Sequence, residues 1–462
     1  MRSRLLVPSL LGLLIAACSS SGDEPGANGG AGAGGSTATG GTRTGGSVST
    51  GGRKSGGTIA TGGGAAGRGG STGGSSAGAT AGSGAGGSAG SGGTRTGGSS
   101  GGDSGTGGTP GTAGTAGGAT GGRAGAGGNP GTAGSGGSGN GCIVAAPANS
   151  PVAEHGRLKV VGTKIHDESD TPVQLKGMSA FWLNWEDPKY AESKAAVQYM
   201  RDNWKIRVIR AAMGIEAQGG YLTSASAKAD LQARVDTIVQ NALALGLYVI
   251  VDWHTERAVD QTNESVAFFT GMASKYGQCP NIIYEDYNEP TKVAWDRIKQ
   301  YHETVVTAIR AKDPDNLIIL GTPDWSSRVD QAAADPVKGT NLLYTLHFYS
   351  CAHTAAARAI GDTAMAKGLA LFITEFGATP ADGGVPPNNK VCESEANAWW
   401  DWMAKNGISG TAWKLVSGVD SSNIFSATNK PPADGPFPDS VLSQTTGSSP
   451  GHGQIIVNWL RK

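Results

Sequence analysis

This 462-residue chain has no excess of charge of either sign. Its 37 lysines and arginines balance 37 aspartates and glutamates with no basic run or stripe, so a nucleic-acid partner is not expected and nothing favours an anionic substrate. Histidine is scarce: the seven residues are scattered without His-x-x-x-His spacing, and neither a metal nor a cofactor is expected. Cysteine is scarce too, with five residues. Aromatic side chains are missing before Cys142, where most of the 77 glycines lie. One folded domain is therefore expected, although the length alone would allow two or three.

The apolar run at residues 5–14 is too short for a comfortable membrane span. Preceded by Arg2 and Arg4, it reads as a targeting signal. The Ile15-Ala16-Ala17-Cys18 that follows resembles the lipobox of bacterial lipoproteins, which implies a signal peptide over residues 1–18 and lipidation of Cys18. An ordinary secretory signal cleaved after Ala17 is the alternative, and either form exports the protein. By resemblance to a sorting rule of Gram-negative bacteria, Ser19 favours the outer membrane or the cell surface.

Residues 19–141 are Gly, Ser, Thr and Ala in near-monotony. Such a segment cannot bury enough surface to offset its ordering entropy and is expected to be a disordered linker. As a flexible chain it would reach roughly 60 Å, enough to lift a domain off a membrane. Gly86-Gly87-Ser88-Ala89-Gly90 matches the nucleophile elbow of serine hydrolases but lacks the flanking strand and helix that motif needs.

The remainder, 142–462, alternates short β-rich runs with longer helical patterns. Strands are expected at 173–179, 207–213, 247–254, 282–289, 317–322, 342–349, 370–375 and 410–415. Helices are expected at 193–203, 226–245, 264–276, 295–312 and 394–405. Eight units in this length fit a (β/α)8 TIM barrel of the α/β class, and an open doubly wound sheet is the alternative. The segment before the first strand alternates like an N-terminal β-hairpin, at 156–160 and 163–166, placed to plug the barrel floor.

In such a barrel functional side chains gather at the C-terminal strand ends. Here those ends carry Arg210, Asp252-Trp253-His254, Asn288-Glu289, His347-Phe348-Tyr349, Glu375 and Trp413. Pro290, which has no N–H for a ladder bond, closes the strand before it. Glu289 and Glu375, at the ends of strands four and seven, suit glycoside hydrolysis, in which one carboxyl protonates the leaving oxygen and the other attacks the anomeric carbon. The two pKa values must then differ: Arg210 beside one acid would keep it ionised, and burial without a cation would keep the other protonated.

The chain resembles the cellulases of glycoside hydrolase family five, closest to bacterial endoglucanases. The likeness rests on Gln174-Leu175-Lys176-Gly177-Met178-Ser179, Arg210-Ala211-Ala212-Met213, Val251-Asp252-Trp253-His254, Tyr287-Asn288-Glu289-Pro290, Leu346-His347-Phe348-Tyr349 and Thr374-Glu375-Phe376-Gly377, all in family order. The resemblance implies Glu289 as acid/base and Glu375 as nucleophile of a retaining endo-β-1,4-glucanase. It also implies Asn288 on the sugar 2-hydroxyl, Arg210 and Tyr349 on the nucleophile, and His254 and His347 beside the scissile bond. Trp413 would lie under the reacting sugar, Trp185 toward the non-reducing end and Trp325 on the leaving-group side. Trp399, Trp400 and Trp402 have the spacing of packing residues.

The implied partner is a β-1,4-glucan polysaccharide, with the membrane reached only through the lipid anchor and the protein acting as a monomer. A β-mannanase, a mixed-linkage glucanase and a non-catalytic surface glycan-binding protein remain alternatives. With Cys18 acylated, four cysteines are left for two disulfides. Barrel topology puts Cys351 and Cys392 on the catalytic face and Cys142 and Cys279 on the opposite one, so those pairs are expected. Relatives carry a lysine a few residues past the strand-eight tryptophan. Here that region is Ser417-Gly418-Val419, and Lys414, next to Trp413, should point away from it in an extended strand. Asp286, in an otherwise apolar strand, has no evident partner.

Overall fold

The structure, a computed structural model, describes Cys142 and residues 145–381, 390–443 and 451–462. The expected signal sequence with Cys18, the expected linker at 19–141 and part of the loop before Cys392 lie outside the described residues.

Two short strands, β1 (Lys159–Val161) and β2 (Lys164–His166), form the antiparallel hairpin expected at the start, with Val160 opposite Ile165. The barrel strands are β3 (Lys176–Ala180), β4 (Val208–Gly214), β5 (Tyr248–His254), β6 (Ile282–Glu285), β7 (Leu317–Leu320), β8 (Leu342–Thr345) continued by β9 (Phe348–Tyr349), β10 (Leu371–Gly377) and β11 (Ser409–Leu415). All pair in parallel. β10 bonds to both β8 and β9, and β11 bonds to β10 on one side and to β3 on the other, so the sheet closes with eight strand positions. Closure excludes the open sheet.

Alternation sorts the apolar side chains into two layers. Val208, Tyr248, Ile250, Ile283, Leu317, Ile319, Leu343 and Phe372 fill the interior, joined from the hairpin region by Leu158 and Ile165. The hairpin therefore plugs the floor. Their sequence neighbours, such as Ile209, Val249, Tyr284 and Ile318, pack outward against the helices. The helix Ala225–Leu245 shows how the surrounding ring is specified. Ser224 caps its first turn by accepting from the Ala227 N–H, Leu231, Val235, Ile238 and Ala242 face the sheet, and Gly246 ends it at φ 65°.

The structure corrects some boundaries. β6 stops at Glu285, not at Glu289: the Asp286 N–H makes the last ladder bond, to Ile319 O of β7, and beyond it, as far as Pro290, only the Glu289 N–H finds a backbone acceptor, Thr255 O, among the described residues. The helix expected at 193–203 is an α-helix over Lys194–Tyr199 followed by a π turn over Met200–Trp204. Helices at Ala355–Ala366 and His452–Arg461 were not singled out by the sequence pattern. Both expected disulfides form, Cys142–Cys279 and Cys351–Cys392, each with Cα atoms 5.2 Å apart. Asp286 has an explanation after all. Its Oδ2 lies 2.9 Å from His302 Nδ1, and His302 Nε2 lies 2.9 Å from Gly321 O, so the pair ties the end of β6 to the helix Trp295–Arg310 and to the chain after β7.

Candidate active site

The centre of the rim is Arg210, fully buried on β4. Its Nε donates to Glu285 Oε2 at 2.7 Å and its Nη2 to Glu285 Oε1 at 3.1 Å, a bidentate pair. Nη2 also meets Asp252 Oδ2 at 2.9 Å and donates to Asn288 Oδ1 at 2.7 Å; Nη1 donates to Ser179 Oγ and to Glu375 Oε2, both at 3.3 Å. Burial alone would lower the pKa of the guanidinium, but Asp252, Glu285 and Glu375 together raise it. Burial in turn pushes the carboxyls of Asp252 and Glu285 up to about 7 each, against the pull of Arg210.

Glu375 accepts two hydrogen bonds, from Arg210 and from the Tyr349 hydroxyl at 2.6 Å. Simple alternation along β10 would send Glu375 outward, since Thr374 points in. The register between β10 and β11 shifts between Ile373 and Phe376, and a bulge of this kind re-aims a side chain. Gly377 completes the arrangement: a Cβ there would meet the Tyr349 ring at 2.8 Å, so only glycine leaves Tyr349 room to reach Glu375.

Glu289 sits in different surroundings, on the loop past β6 with 18% of its side chain exposed. Its Oε1 lies 2.8 Å from His347 Nδ1. Burial, reinforced by the nearby Glu256 and only partly offset by Arg210, pushes its carboxyl up to about 8. His347 is held neutral, its pKa lowered by burial to about 4. The two acids are thus brought together but made unequal. One oxygen of Glu289, one of Glu375 and a ring nitrogen of His347 lie within 4.8 Å of one another. A metal fits this trio poorly, because His347 already commits Nδ1 to Glu289 and Nε2 to Thr374 Oγ1, 2.9 Å away.

The other expected residues lie on neighbouring strand ends and loops. Since Asn288 Oδ1 accepts from Arg210, its amide NH2 is the end left to donate elsewhere. His254 bonds through Nδ1 to Asp252 Oδ2 at 2.7 Å and stacks on Trp413, with centroids 5.3 Å apart and ring planes nearly parallel. Trp185, 46% exposed, stacks on Trp182 at 4.9 Å, and Trp182 packs edge-on against His254 at 4.7 Å. The aromatic surface therefore runs unbroken from the exposed loop to Trp413. Trp325 lies in a turn where Asp324, Trp325 and Ser326 all have φ near 55°. Left-handed backbone costs non-glycine residues roughly 1–2 kcal/mol each. Anchors hold the turn: Trp325 N–H to Pro290 O, Ser326 Oγ to Asn288 O and His347 N–H to Ser326 O. Trp399 is a packing residue, stacked on Phe348 at 4.0 Å.

Lys414 departs from expectation. Its Nζ lies 5.8 Å from the Trp413 ring centroid and 4.8 Å from that of Phe181, and it donates to Asp420 Oδ2 at 2.8 Å. Asp252, Glu285 and Thr374 were not assigned roles from the sequence. Counting inward positions by twos from Ile250, Ile283 and Phe372 would have found all three. A cavity of about 370 Å³ lined by Glu393, Trp400, Asn458 and Lys462, among others, includes none of these rim residues.

The family described as Cellulase (glycosyl hydrolase family 5) matches residues 166–418, more than half of the chain. The chain belongs to glycosyl hydrolase family 5. Within that family it is similar to Endoglucanase Z of Dickeya dadantii (strain 3937), 41% identical over 276 residues that make up 59% of this chain and 63% of the relative. It is 40% identical to an endoglucanase of Clostridium saccharobutylicum over 275 residues, 58% of each chain. This family 5 chain thus spans less than two thirds of the length of these relatives. The structure resembles that of the Thermobifida fusca endoglucanase catalytic domain, with TM-score 0.60 and 30% identity over 68% of this chain and all of the other. It also resembles a variant of that domain in complex with cellotetraose, with TM-score 0.59 and 29% identity over the same shares.

Proposed function

We propose that this protein is a retaining endo-β-1,4-glucanase that cleaves cellulose or a related β-glucan without a cofactor, using residues 142–462 as its catalytic domain. The observation that carries the reading is the close, unequal pair of carboxyls. Retaining enzymes hold their two carboxyl groups roughly 5–5.5 Å apart, whereas inverting enzymes need roughly 6.5–9.5 Å to admit a water molecule. Oxygens of Glu289 and Glu375 within 4.8 Å of each other suit the former.

Glu375, oriented by Arg210 and Tyr349, attacks the anomeric carbon while protonated Glu289 gives its proton to the departing glycosidic oxygen. A glycosyl ester on Glu375 results. Water then attacks the same carbon, its proton passes to Glu289, and the ester bond breaks to free Glu375. The free NH2 of Asn288 is placed to donate to the sugar 2-hydroxyl, a bond that strengthens in the transition state. Sugar rings would lie along Trp413, Trp182 and Trp185, with Trp325 receiving the leaving side.

Reducing-sugar release from carboxymethylcellulose, β-mannan and mixed-linkage glucan by the full chain tests the assignment. Release from carboxymethylcellulose supports it; release from mannan alone overturns the substrate class, and none at all overturns the enzyme reading in favour of a glycan-binding protein. The reading includes export, lipid attachment at Cys18, a linker over 19–141, placement at the outer membrane or cell surface, and action as a monomer. Palmitate labelling lost in Cys18→Ala would support the anchor, and equal labelling would refute it. Light scattering at the mass of a dimer would refute the monomer.

A further inference from the structure

The hydroxyl of Thr374, next in sequence to Glu375, has three polar neighbours: Glu285 Oε1 at 2.7 Å, Thr345 Oγ1 at 2.7 Å and His347 Nε2 at 2.9 Å. A hydroxyl has one hydrogen to give and two lone pairs to receive. Both Glu285 oxygens accept N–H bonds from Arg210, and the Thr374 hydroxyl donates its hydrogen to the same carboxyl. The Thr345 hydroxyl, which accepts from the Thr374 N–H, has Thr374 Oγ1 as its hydroxyl partner among the described residues, and it donates there. Thr374 then has one lone pair left, and His347 Nε2 must fill it as an N–H donor. A neutral imidazole with its proton on Nε2 has a bare lone pair on Nδ1, and Nδ1 is the atom facing Glu289 at 2.8 Å. Only a protonated Glu289 satisfies that contact.

We propose that Thr374 is a positioning residue: by fixing His347 as the Nε2–H tautomer it keeps the proton on Glu289. This rests on the reading of Glu289 as the acid/base. The same tautomer serves both halves of the reaction. Once Glu289 has protonated the leaving oxygen, its carboxylate faces the bare Nδ1, acceptor against acceptor. Taking the proton of the attacking water removes that mismatch, so Glu289 is a stronger base when the glycosyl–Glu375 ester is hydrolysed. Without the Thr374 hydroxyl, His347 is free to carry its proton on Nδ1 and donate to the Glu289 carboxylate, which favours the ionised form, so less of Glu289 holds its proton at working pH and its carboxylate is a weaker base.

The other charged and titratable groups around Glu289 are Arg210 on β4, Asp252 on β5, Glu256 after β5, Glu285 on β6, Tyr349 on β9 and Glu375 on β10. Around His347 they are Glu375, Arg210, Glu285, His254 and His353. None of these changes identity in Thr374→Val, so a shift in that variant reports the hydroxyl.

The test has two readouts. In the unmodified full chain, ¹⁵N–¹H spectra of the histidine rings, with the His347 signals assigned by their loss in His347→Gln, should show the Nε2–H form. The Nδ1–H form would overturn the proposal, whether or not any variant folds. In the pH profile of kcat/KM, Thr374→Val should move the alkaline limb down by about one unit, a roughly tenfold loss on that side, while Thr374→Ser keeps the original limb. An unmoved limb in a folded Thr374→Val protein, or an equal shift in Thr374→Ser, would overturn it. Failure of the underlying acid/base reading looks different. Glu289→Ala would then slow substrates with good and poor leaving groups equally, while the His347 tautomer in the unmodified protein stayed as it is.

Discussion

At the floor of the barrel β4, β5, β6 and β10 turn Val208, Ile250, Ile283 and Phe372 inward; two residues further on, the same four strands turn in Arg210, Asp252, Glu285 and Thr374. Backbone geometry is common to both layers and only the side chains differ. The floor removes apolar surface from water and stabilises the fold at roughly 25 cal/mol per Å² buried. The rim takes one guanidinium and several carboxyls out of water, and their mutual attraction offsets that cost only in part. Asp252 and Glu285, pushed up to about 7 even beside Arg210, record the residue of the penalty. The contrast assigns stability to one layer and chemistry to the other, and each layer can be perturbed separately.

The largest effect should come from the rim. Glu375→Ala should lower kcat by about 10⁵-fold, in the range seen when a covalent nucleophile is removed, while the thermal midpoint stays within a few degrees of the unmodified protein. Azide should restore turnover with a glycosyl azide of inverted configuration as product. A large drop in melting temperature would show that rim and floor are not separable.

The floor should behave in the opposite way. Ile283→Ala, two residues before Glu285, should cost about 2–5 kcal/mol in denaturant unfolding, with kcat of the folded protein within roughly twofold because no atom of the rim is removed. A hundredfold loss of kcat at unchanged stability would break the comparison.

Alkaline pH perturbs the rim without mutation. Glu289 must be protonated to act as the acid, so kcat/KM should be retained below pH 8 and fall as pH rises through about 8. The same raised pKa has a consequence for stability. Between its ordinary value of 4.5 and about 8 folded Glu289 holds a proton that the unfolded chain releases. Its contribution is therefore complete below 4.5 and is lost as pH rises through 8. An alkaline limb below pH 6 would contradict the environment described for Glu289.

The smallest effect should come from the exposed end of the aromatic surface. Trp185→Ala should raise KM for long glucans several-fold, by losing a stacking contact worth about 1 kcal/mol, and leave both stability and kcat for short substrates unchanged. An unchanged KM on long chains would remove Trp185 from the binding surface.

Much of the floor and part of the rim were legible in the sequence. Apolar runs of strand length, separated by helical patterns, placed all eight barrel strands, and polar residues at their ends marked Arg210, Glu289, His347, Tyr349 and Glu375. The pairs Cys142–Cys279 and Cys351–Cys392 followed once the two faces of the barrel were distinguished. Two features had no counterpart in residue patterns because each departs from regular backbone. They are the bulge between Ile373 and Phe376 that re-aims Glu375 and the left-handed turn that carries Trp325. Asp286 belongs to another class: its partner His302 lies on a helix sixteen residues on, a contact that only the packed barrel brings about.

The stereochemistry of the product tests the central claim most directly. Proton NMR of the reducing ends freshly released from a cello-oligosaccharide should show the β-anomer first, followed by slow mutarotation to the α-form. This is the outcome that a Glu289 and Glu375 pair within 4.8 Å predicts. An α-anomer released first would mean that water attacks directly, and would contradict the account of Glu375 as nucleophile.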